Sequence, residues 1–374
     1  METKRIYLMN AVRFVSNDKK QFATTLKKNV NDFFKEKNLS TKGNLNMAIK
    51  SVVMLALYFV PFVLMLTISM SGWILFLLWV LMGIGMAGVG MSVMHDAAHG
   101  SFSQKKWLNT LMSSTIYLIG GSLFTWKVQH NIKHHTFTNI SGYDEDINNK
   151  AIIRLSFHKP LKKIHRFQHI YAFGFYMLMT INKIGVDFKQ LFEYNKEGIT
   201  GEQQLEPRSE IIKMVLQKTT YLFIFLGLPL MFTSYSWWVI LVGFLLVNFI
   251  AGAILSIVFQ VDHIVEGIEQ PLPKEGVIEN QWAIHELVTT SNFSKNNHLL
   301  SWYIGGLNYQ IEHHLFPNIC HVHYHKIAPI VEKTAKDFGL QYNVTPTFFK
   351  AIILHIRMLK LLGTTTTYNS SAPV

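Results

Sequence analysis

Charged residues are scarce in this chain of 374 residues: only 16% are Asp, Glu, Lys or Arg, while 49% are hydrophobic. Soluble globular domains carry about 25% charged residues, so the composition argues against a purely soluble protein. Positive charges outnumber negative ones, with 35 Lys and Arg against 23 Asp and Glu. No recognisable nucleic-acid motif accompanies this excess, and we expect no nucleic-acid partner.

Cysteine is nearly absent as well, with Cys320 alone in the chain. One thiol cannot form an intramolecular disulfide, which excludes a disulfide framework. Cysteine-rich zinc sites and iron–sulfur clusters need several thiolates, so both are excluded too. Metal chemistry in this protein therefore has to use imidazole, carboxylate or amide ligands.

Two long stretches contain no charged residue at all, from Ser51 to Met94 and from Thr219 to Val261. Each is about 43 residues long, enough for two helical crossings of a bilayer core at about 20 residues each. A buried helix of a soluble core would not be this long or occur twice in pairs. We therefore predict an all-α membrane protein with four transmembrane helices in two hairpins. The predicted spans are 50–69, 73–94, 215–233 and 237–259.

Every Lys and Arg lies outside the two charge-free stretches, in three segments that the hairpins place on one side of the membrane. By the positive-inside rule that side is the cytoplasm, so both termini are predicted to be cytoplasmic. The predicted division is a basic N-terminal arm at 1–49, a membrane domain at 50–345, and a C-terminal helix with a disordered tail at 346–374. A cytoplasmic helical cap would comprise 95–214 and 262–345 of the membrane domain.

Three further segments have an expected placement. The apolar segments at 107–125 and 170–186 are short or interrupted, which favours interfacial helices, with a fifth and sixth crossing as the competing interpretation. Segment 195–210 is predicted to be a polar connection. The N-terminal arm lacks the features of a cleaved signal peptide, and its lysines could contact anionic lipid headgroups or be solvated.

Histidine, by contrast, is abundant, with 17 residues, and many of them cluster. His95 and His99 directly follow the second predicted span, and His263 follows the fourth. Two further clusters are HNIKHH at 130–135 and QIEHH at 310–314. All four positions lie on the predicted cytoplasmic side of the membrane, which suggests a single site.

Spacing within the second cluster predicts how its side chains point. Residues four apart share one face of an α-helix, so His130 and His134 should point the same way, while His135 lies about 100° around the helix. An all-imidazole set suits iron, zinc, copper or nickel. Eight imidazoles are too many for one tetrahedral zinc and match two ions with four or five ligands each. Haem ligation and a membrane metal or ion transporter remain as alternatives.

The clusters resemble the three histidine boxes of the integral-membrane fatty acid desaturases: HDAAH (95–99), HNIKHH (130–135) and QIEHH (310–314). The resemblance extends over nearly all of the predicted membrane domain. The third box begins with Gln rather than His, within GGLNYQIEHHLFP (305–317), and HHTFTNISGYDED (134–146) follows the second. Both segments are similar to the front-end desaturases, which insert a cis double bond between an existing one and the carboxyl end.

This resemblance implies an oxidoreductase that uses a di-iron centre, O2 and two external electrons to desaturate an acyl-CoA or an acyl lipid. The implied iron ligands are His95, His99, His130, His134, His135, His263, His313 and His314. Gln310 replaces an imidazole of the family pattern, which leaves direct ligation by Gln310 open. Residues beside the ligands that would orient them are Asp96, Asn131, Asp144, Asp262, Asn308 and Glu312. No separate acid–base residue is proposed, and no substrate-binding residue can be singled out.

The resemblance also has a departure. Eukaryotic front-end desaturases usually carry a fused cytochrome b5 domain with an HPGG haem motif, and that motif does not occur here. We therefore expect a separate electron donor, a ferredoxin or a cytochrome b5-like protein with its reductase, and a bacterial enzyme in the inner membrane. A sphingolipid desaturase or a lipid hydroxylase with the same centre is the same-family alternative. Regiospecificity (Δ5, Δ6 or other) does not follow from the sequence.

Overall fold

The computed structural model describes residues 12–15, 19–148 and 152–366, and this part of the chain is mainly helical. It divides into two compact units, each assembled from separate stretches of sequence. The first unit comprises Asn44–Trp126 and Gly174–Ser256. The second unit comprises the described residues of 12–43, 127–173 and 257–366.

Four helices of the described residues are long and apolar enough to cross a membrane. The first to fourth spans are Leu45–Thr67, Gly72–Ala98, Pro207–Phe232 and Trp237–His263. Short turns at 68–71 and 233–236 join the spans in pairs, which confirms the predicted membrane fold of four helices in two hairpins. The second and third spans each contain a π-helical turn, at Val89–Met94 and Phe223–Gly227.

The two shorter apolar segments form broken helices. The first contains Lys106–Ser113, the 3₁₀ helix Ser114–Ile119 and Leu123–Trp126. The second is divided between Gln168–Met177 and Met179–Lys196. None of these helices is both long and apolar enough to span a bilayer, so the described residues do not support a fifth or sixth crossing.

The first two spans pack closely because a glycine lies between their backbones. A Cβ atom added at Gly85 would lie 2.5 Å from the backbone nitrogen of Tyr58. Small residues allow such close approach of membrane helices, which associate through van der Waals packing. Tyr58 is itself buried and donates a hydrogen bond from its hydroxyl to the carbonyl of Leu118 at 2.8 Å. The glycine therefore sets the spacing of the first hairpin.

We expect Gly85→Ala to destabilise the protein by about 1–3 kcal/mol, the usual cost of overpacking a filled interior. The added methyl group would overlap backbone atoms of the first span, which cannot rotate away as a side chain can. Thermal unfolding of the purified protein in detergent measures the effect. Gly72→Ala is the matched control, because a Cβ at Gly72 meets no atom within 4 Å. Equal unfolding temperatures for the two variants would contradict this account.

The third span begins earlier than predicted, at Pro207 rather than near 215, and includes Lys218. This lysine is buried, and its ammonium group donates to the carboxylate of Asp187 at 2.5 Å and to the carbonyl of Gly120 at 2.6 Å. The hydroxyl of Thr125 donates to the other oxygen of Asp187 at 3.0 Å. Ionisable residues at membrane depth are found paired in this way, so the helix can continue through the charge.

The predicted polar connection at 195–210 is correspondingly short. It holds the end of Met179–Lys196, the one-turn helix Ile199–Glu202 and the first residues of the third span. The third span starts with Pro207 in its first turn, and the carboxylate of Glu206 accepts a hydrogen bond from the backbone N–H of Ser209 at 2.6 Å. Both features are typical of helix starts, which explains the earlier beginning.

Within the second unit, the N-terminal arm contributes an amphipathic helix, Phe22–Glu36. Phe22, Leu26, Val30 and Phe34 recur every four residues and are buried in a hydrophobic cluster with residues of the helix Tyr324–Asp337. The arm is therefore docked through its apolar face, while Lys27, Lys28 and Lys35 are exposed. Its contact with lipid headgroups stays a prediction.

Two short parallel strand pairs complete the second unit. Arg13–Phe14 pairs with Val277–Ile278, and Asn292–Phe293 pairs with Val344–Thr345. The smaller helices are Glu145–Asn148, Lys163–Phe167, His298–Tyr303 and His321–His323. The predicted C-terminal helix is Phe348–Thr364. Most of the tail predicted to be disordered, residues 367–374, lies outside the described residues.

Candidate metal centre

The second histidine box lies on an unusual helix. Lys127–His134 is a π-helix, in which hydrogen bonds run from residue i to residue i+5. Such a helix holds more residues per turn than an α-helix, so residues four and five apart both become neighbours. The ring of His130 lies 5.3 Å from that of His134, and its Nε2 lies 3.2 Å from Nε2 of His135. The π-helical path thus brings His135 beside His130, five residues away, whereas an α-helix would turn these two side chains apart.

The third box and His263 join this cluster in the second unit. His263 is the last residue of the fourth span, and the third box forms the helix Gln310–Leu315. Two groups of three histidines have ring nitrogens within 4.8 Å of one another: His134, His263 and His314, and His135, His313 and His314. All of these histidines are buried. The structure thus brings together six of the eight predicted ligands in one unit.

Gln310 lies among the same nitrogens. Its amide nitrogen is 2.9 Å from Nε2 of His263 and 3.4 Å from Nε2 of His314. Its amide oxygen is buried and has no hydrogen-bond partner among the described residues. The two ends of a glutamine amide exchange by rotation of the terminal bond, which would bring the oxygen to the histidine nitrogens. Gln310 is therefore placed to provide a further metal ligand, its amide oxygen, beside these two histidines.

Four histidines have their Nδ1 atom held by an oxygen. The pairs are His134 with Asp144 at 3.1 Å, His314 with Glu286 at 2.7 Å, His313 with the Tyr324 hydroxyl at 3.2 Å, and His263 with the Thr289 carbonyl at 3.3 Å. Metal-ligating histidines characteristically use one ring nitrogen in this way and bind the ion with the other. Buried imidazoles oriented in this way form a ligand set that fits transition-metal ions such as iron.

Burial shifts the pKa values of groups in this cluster. It raises the pKa of Glu286 to about 8, which keeps a proton available to the Glu286–His314 hydrogen bond at neutral pH. Burial alone would lower the pKa of His134, but Asp144 and Asp146 outweigh it and raise that pKa to about 9. A metal ion would displace a proton from His134 on binding, because a ligating imidazole is neutral.

One helix supporting the cluster was missed by the sequence analysis. On Trp282–Thr289, the indole N–H of Trp282 donates to the carbonyl of His135 at 3.1 Å, and the His285 ring contacts the carbonyl of Thr138 at 2.9 Å. Glu286 binds His314, and the carbonyl of Thr289 faces His263. These four residues recur at helical spacing on one face. This helical spacing, in the segment between His263 and the third box, is the sequence pattern that could have predicted the supporting helix.

Among the residues predicted to orient the ligands, Asp144 contacts a box histidine. Its Oδ2 atom accepts from His134 and from the backbone N–H of Asn139, and its Oδ1 atom accepts from the backbone N–H of Asp146. Asp262 is also fully buried, and its carbonyl accepts from the backbone N–H of Ser291 at 3.0 Å. The Asp262 carboxylate oxygens have no hydrogen-bond partner among the described residues.

Asn308 and Glu312 bind other parts of the second unit. The amide of Asn308 donates to the hydroxyl of Ser301 at 2.8 Å. The Glu312 carboxylate accepts from Asn292 and from the Tyr342 hydroxyl, each at 2.8 Å. These contacts tie the third box to the neighbouring loops. Asn131 is half-buried on the π-helix.

The first box belongs to the first unit. The rings of His95 and His99 lie 4.9 Å apart on one side of the helix end, as their spacing predicts. Trp126 stands edge-on to both rings, at 5.7 and 5.8 Å between centroids. The carboxylate of Asp96 is 3.9 Å from Nδ1 of His95, beyond hydrogen-bond distance. Its backbone carbonyl accepts two hydrogen bonds from Ser101, which end the helix.

Comparison with known proteins places these residues in a family context. Residues 71–346 match the family model described as fatty acid desaturase. The chain is 33% identical to an sn-1 linoleoyl-lipid 6-desaturase of Arthrospira platensis, over 91% of this chain and 92% of that protein. It is 31% identical to an sn-1 linoleoyl-lipid 6-desaturase of Synechocystis, over 95% and 99%. It is 33% identical to an acyl-lipid (8-3)-desaturase of Physcomitrium patens, over 95% and 74%.

Proposed function

The chain belongs to the fatty acid desaturase family, and from this premise we propose that it is a front-end acyl-lipid desaturase of the membrane. It would insert a cis double bond between an existing double bond and the carboxyl end of a lipid-bound acyl chain. The names of the similar proteins from Arthrospira, Synechocystis and Physcomitrium support a lipid-linked substrate rather than acyl-CoA. The glutamine that opens the third box supports the front-end position.

The observation that carries this proposal is the buried cluster of imidazoles on the second and third boxes. Four histidines of this cluster, His263 included, have Nδ1 held by an oxygen, and two groups of three histidines have ring nitrogens within 4.8 Å of one another. An aliphatic C–H bond is too weak an acid for side-chain bases. A pair of iron ions held by these histidines would, with O2 and two electrons, supply the oxidising power that breaks this bond. The ligand roles of His95 and His99 rest on their box sequence.

The chain's own residues would hold this centre in place and control its protons. Asp144 and Glu286 orient His134 and His314 through hydrogen bonds to Nδ1. Thr138 links the two arrangements, since its hydroxyl oxygen lies 2.8 Å both from the Glu286 carboxyl and from the carbonyl oxygen of His134. Burial of the cluster excludes bulk water, which protects the oxidising site from side reactions.

We further propose that both termini lie in the cytoplasm and that the electrons come from a separate one-electron carrier protein. The lysine-rich segments outside the spans support this orientation through the positive-inside rule. A ferredoxin or a cytochrome b5-like protein, reduced by its own reductase, fits the chemistry. Both carriers deliver one electron at a time, so two deliveries are needed for each double bond.

Expression in a host that makes no polyunsaturated lipids tests the proposed activity. Fed linoleate, the host is expected to accumulate a lipid-bound product with one new double bond on the carboxyl side of the existing pair. Gas chromatography with mass spectrometry of derivatives that reveal bond positions measures this product. A new bond on the methyl side, a hydroxylated chain or an unsaturated sphingoid base would contradict the front-end assignment. The His314→Ala variant gives the background.

A further inference from the structure

Trp282 connects the surface of the second unit to the histidine cluster. The residue begins the helix Trp282–Thr289, and its indole is half-buried. The buried side packs against a hydrophobic cluster that includes Ile311 and Leu315. Its N–H group donates a hydrogen bond to the carbonyl oxygen of His135 at 3.1 Å. One aromatic side chain thus joins solvent and a candidate iron ligand through a single hydrogen bond.

The desaturation chemistry makes such a connection useful. A carrier protein cannot enter the buried cluster, so each electron has to cross from the surface through the intervening residues. Electronic coupling is stronger through covalent and hydrogen bonds than through gaps between atoms. The path from the indole runs through one hydrogen bond to His135 and along that residue to its ring. The Nε2 atom of this ring lies 3.2 Å from Nε2 of His130.

Tyr324 offers a comparison within the same unit. Its hydroxyl contacts Nδ1 of His313 at 3.2 Å, so it too joins an aromatic ring to a box histidine. Its side chain, however, is only 1% exposed and gives a docked carrier no direct access. Trp282 combines the hydrogen bond to the cluster with a side chain that is only half-buried.

We propose that Trp282 is the residue through which electrons pass from the carrier protein to the metal centre. This inference rests on the proposed function. The reduced carrier would dock over the half-buried Trp282 and lose one electron, which would pass through the indole and His135 to a ferric ion held by the histidines and reduce it to the ferrous state. No protein bond breaks, and two successive transfers supply both electrons. The indole acts as a positioning and coupling residue and does not touch the acyl chain.

Two substitutions separate electron transfer from folding. Trp282→Phe retains an aromatic ring and its packing but loses the N–H donor, and Trp282→Leu also loses the ring. Trp107→Phe is the matched control, since it removes an indole from an exposed position in the first unit. Stopped-flow absorbance measures how fast the iron-loaded protein oxidises two probes, reduced soluble cytochrome b5 and reduced ferredoxin. Reduction by dithionite with methyl viologen is measured in parallel, because these small molecules need no docking site.

We expect Trp282→Phe to slow carrier oxidation several-fold and Trp282→Leu to slow it further. Reduction by dithionite per bound iron should match the wild type, whereas the unfolding temperature should fall modestly because the buried carbonyl of His135 loses its donor. Carrier oxidation at the wild-type rate in both variants would overturn the proposal, as would an equal loss of reduction by carrier and by dithionite. If the wild-type protein holds iron and accepts electrons but introduces no double bond into linoleate, only the proposed function is contradicted.

Discussion

Replacing His314 by alanine is expected to abolish desaturation and to remove at least half of the bound iron. Its ring nitrogens belong to both groups of three histidines, so the residue lies where the two groups meet. The substitution also removes the 2.7 Å partner of the buried Glu286 carboxyl, and losing a hydrogen bond of a buried polar group is unfavourable. The substitution should therefore weaken iron binding by the surrounding histidines as well as remove one ligand.

Iron per chain, measured by mass spectrometry on purified protein, and the lipid products of expressing cells test this prediction together. His298→Ala is the control, because His298 is exposed at the start of His298–Tyr303. His263→Ala provides a graded comparison, since His263 belongs to one group only and should leave the second ion in place. Wild-type iron content in His314→Ala protein would rule out the ligand set proposed for the third box.

Glu286→Ala is expected to weaken iron binding by about 10- to 100-fold, the usual effect of removing a partner that orients a metal-ligating histidine. The His314 ring would lose the acceptor that holds its Nδ1 proton, and its Nε2 atom would no longer be fixed toward the cluster. Asp144→Ala should act in the same way through His134. The two variants thus test whether the carboxylates position the ligands.

A conservative exchange separates orientation from simple packing. Glu286→Gln keeps an oxygen that accepts from Nδ1, and it should restore much of the affinity that Glu286→Ala loses. Competition with a chelator measures iron affinity, and the visible spectrum of the cobalt-substituted protein reports ligand geometry directly. Glu279→Ala, at an exposed carboxylate, is the control. An unchanged cobalt spectrum in both Glu286 variants would show that the carboxylate supports the fold without orienting the ligand.

Much of the architecture could be predicted because it depends on local composition. The charge-free stretches at 51–94 and 219–261 are long enough only for paired crossings, and four spans are found. The histidine boxes could be recognised because their spacing is short and unusual. Lys218 shows the limit of this reasoning. Counting charges placed it near the start of the third span, but its burial depends on Asp187, which lies 31 residues away in sequence.

The sequence by itself determined the membrane class, the number of spans and the identity of the box histidines, since each depends on residues close together in the chain. Only the tertiary structure decided how the cluster is held. The π-helical path of Lys127–His134 turns His135 toward His130, although the spacing predicts an α-helical arrangement. Glu286 reaches Thr138 across 148 residues of sequence. Such contacts depend on packing between distant segments, which no local pattern encodes.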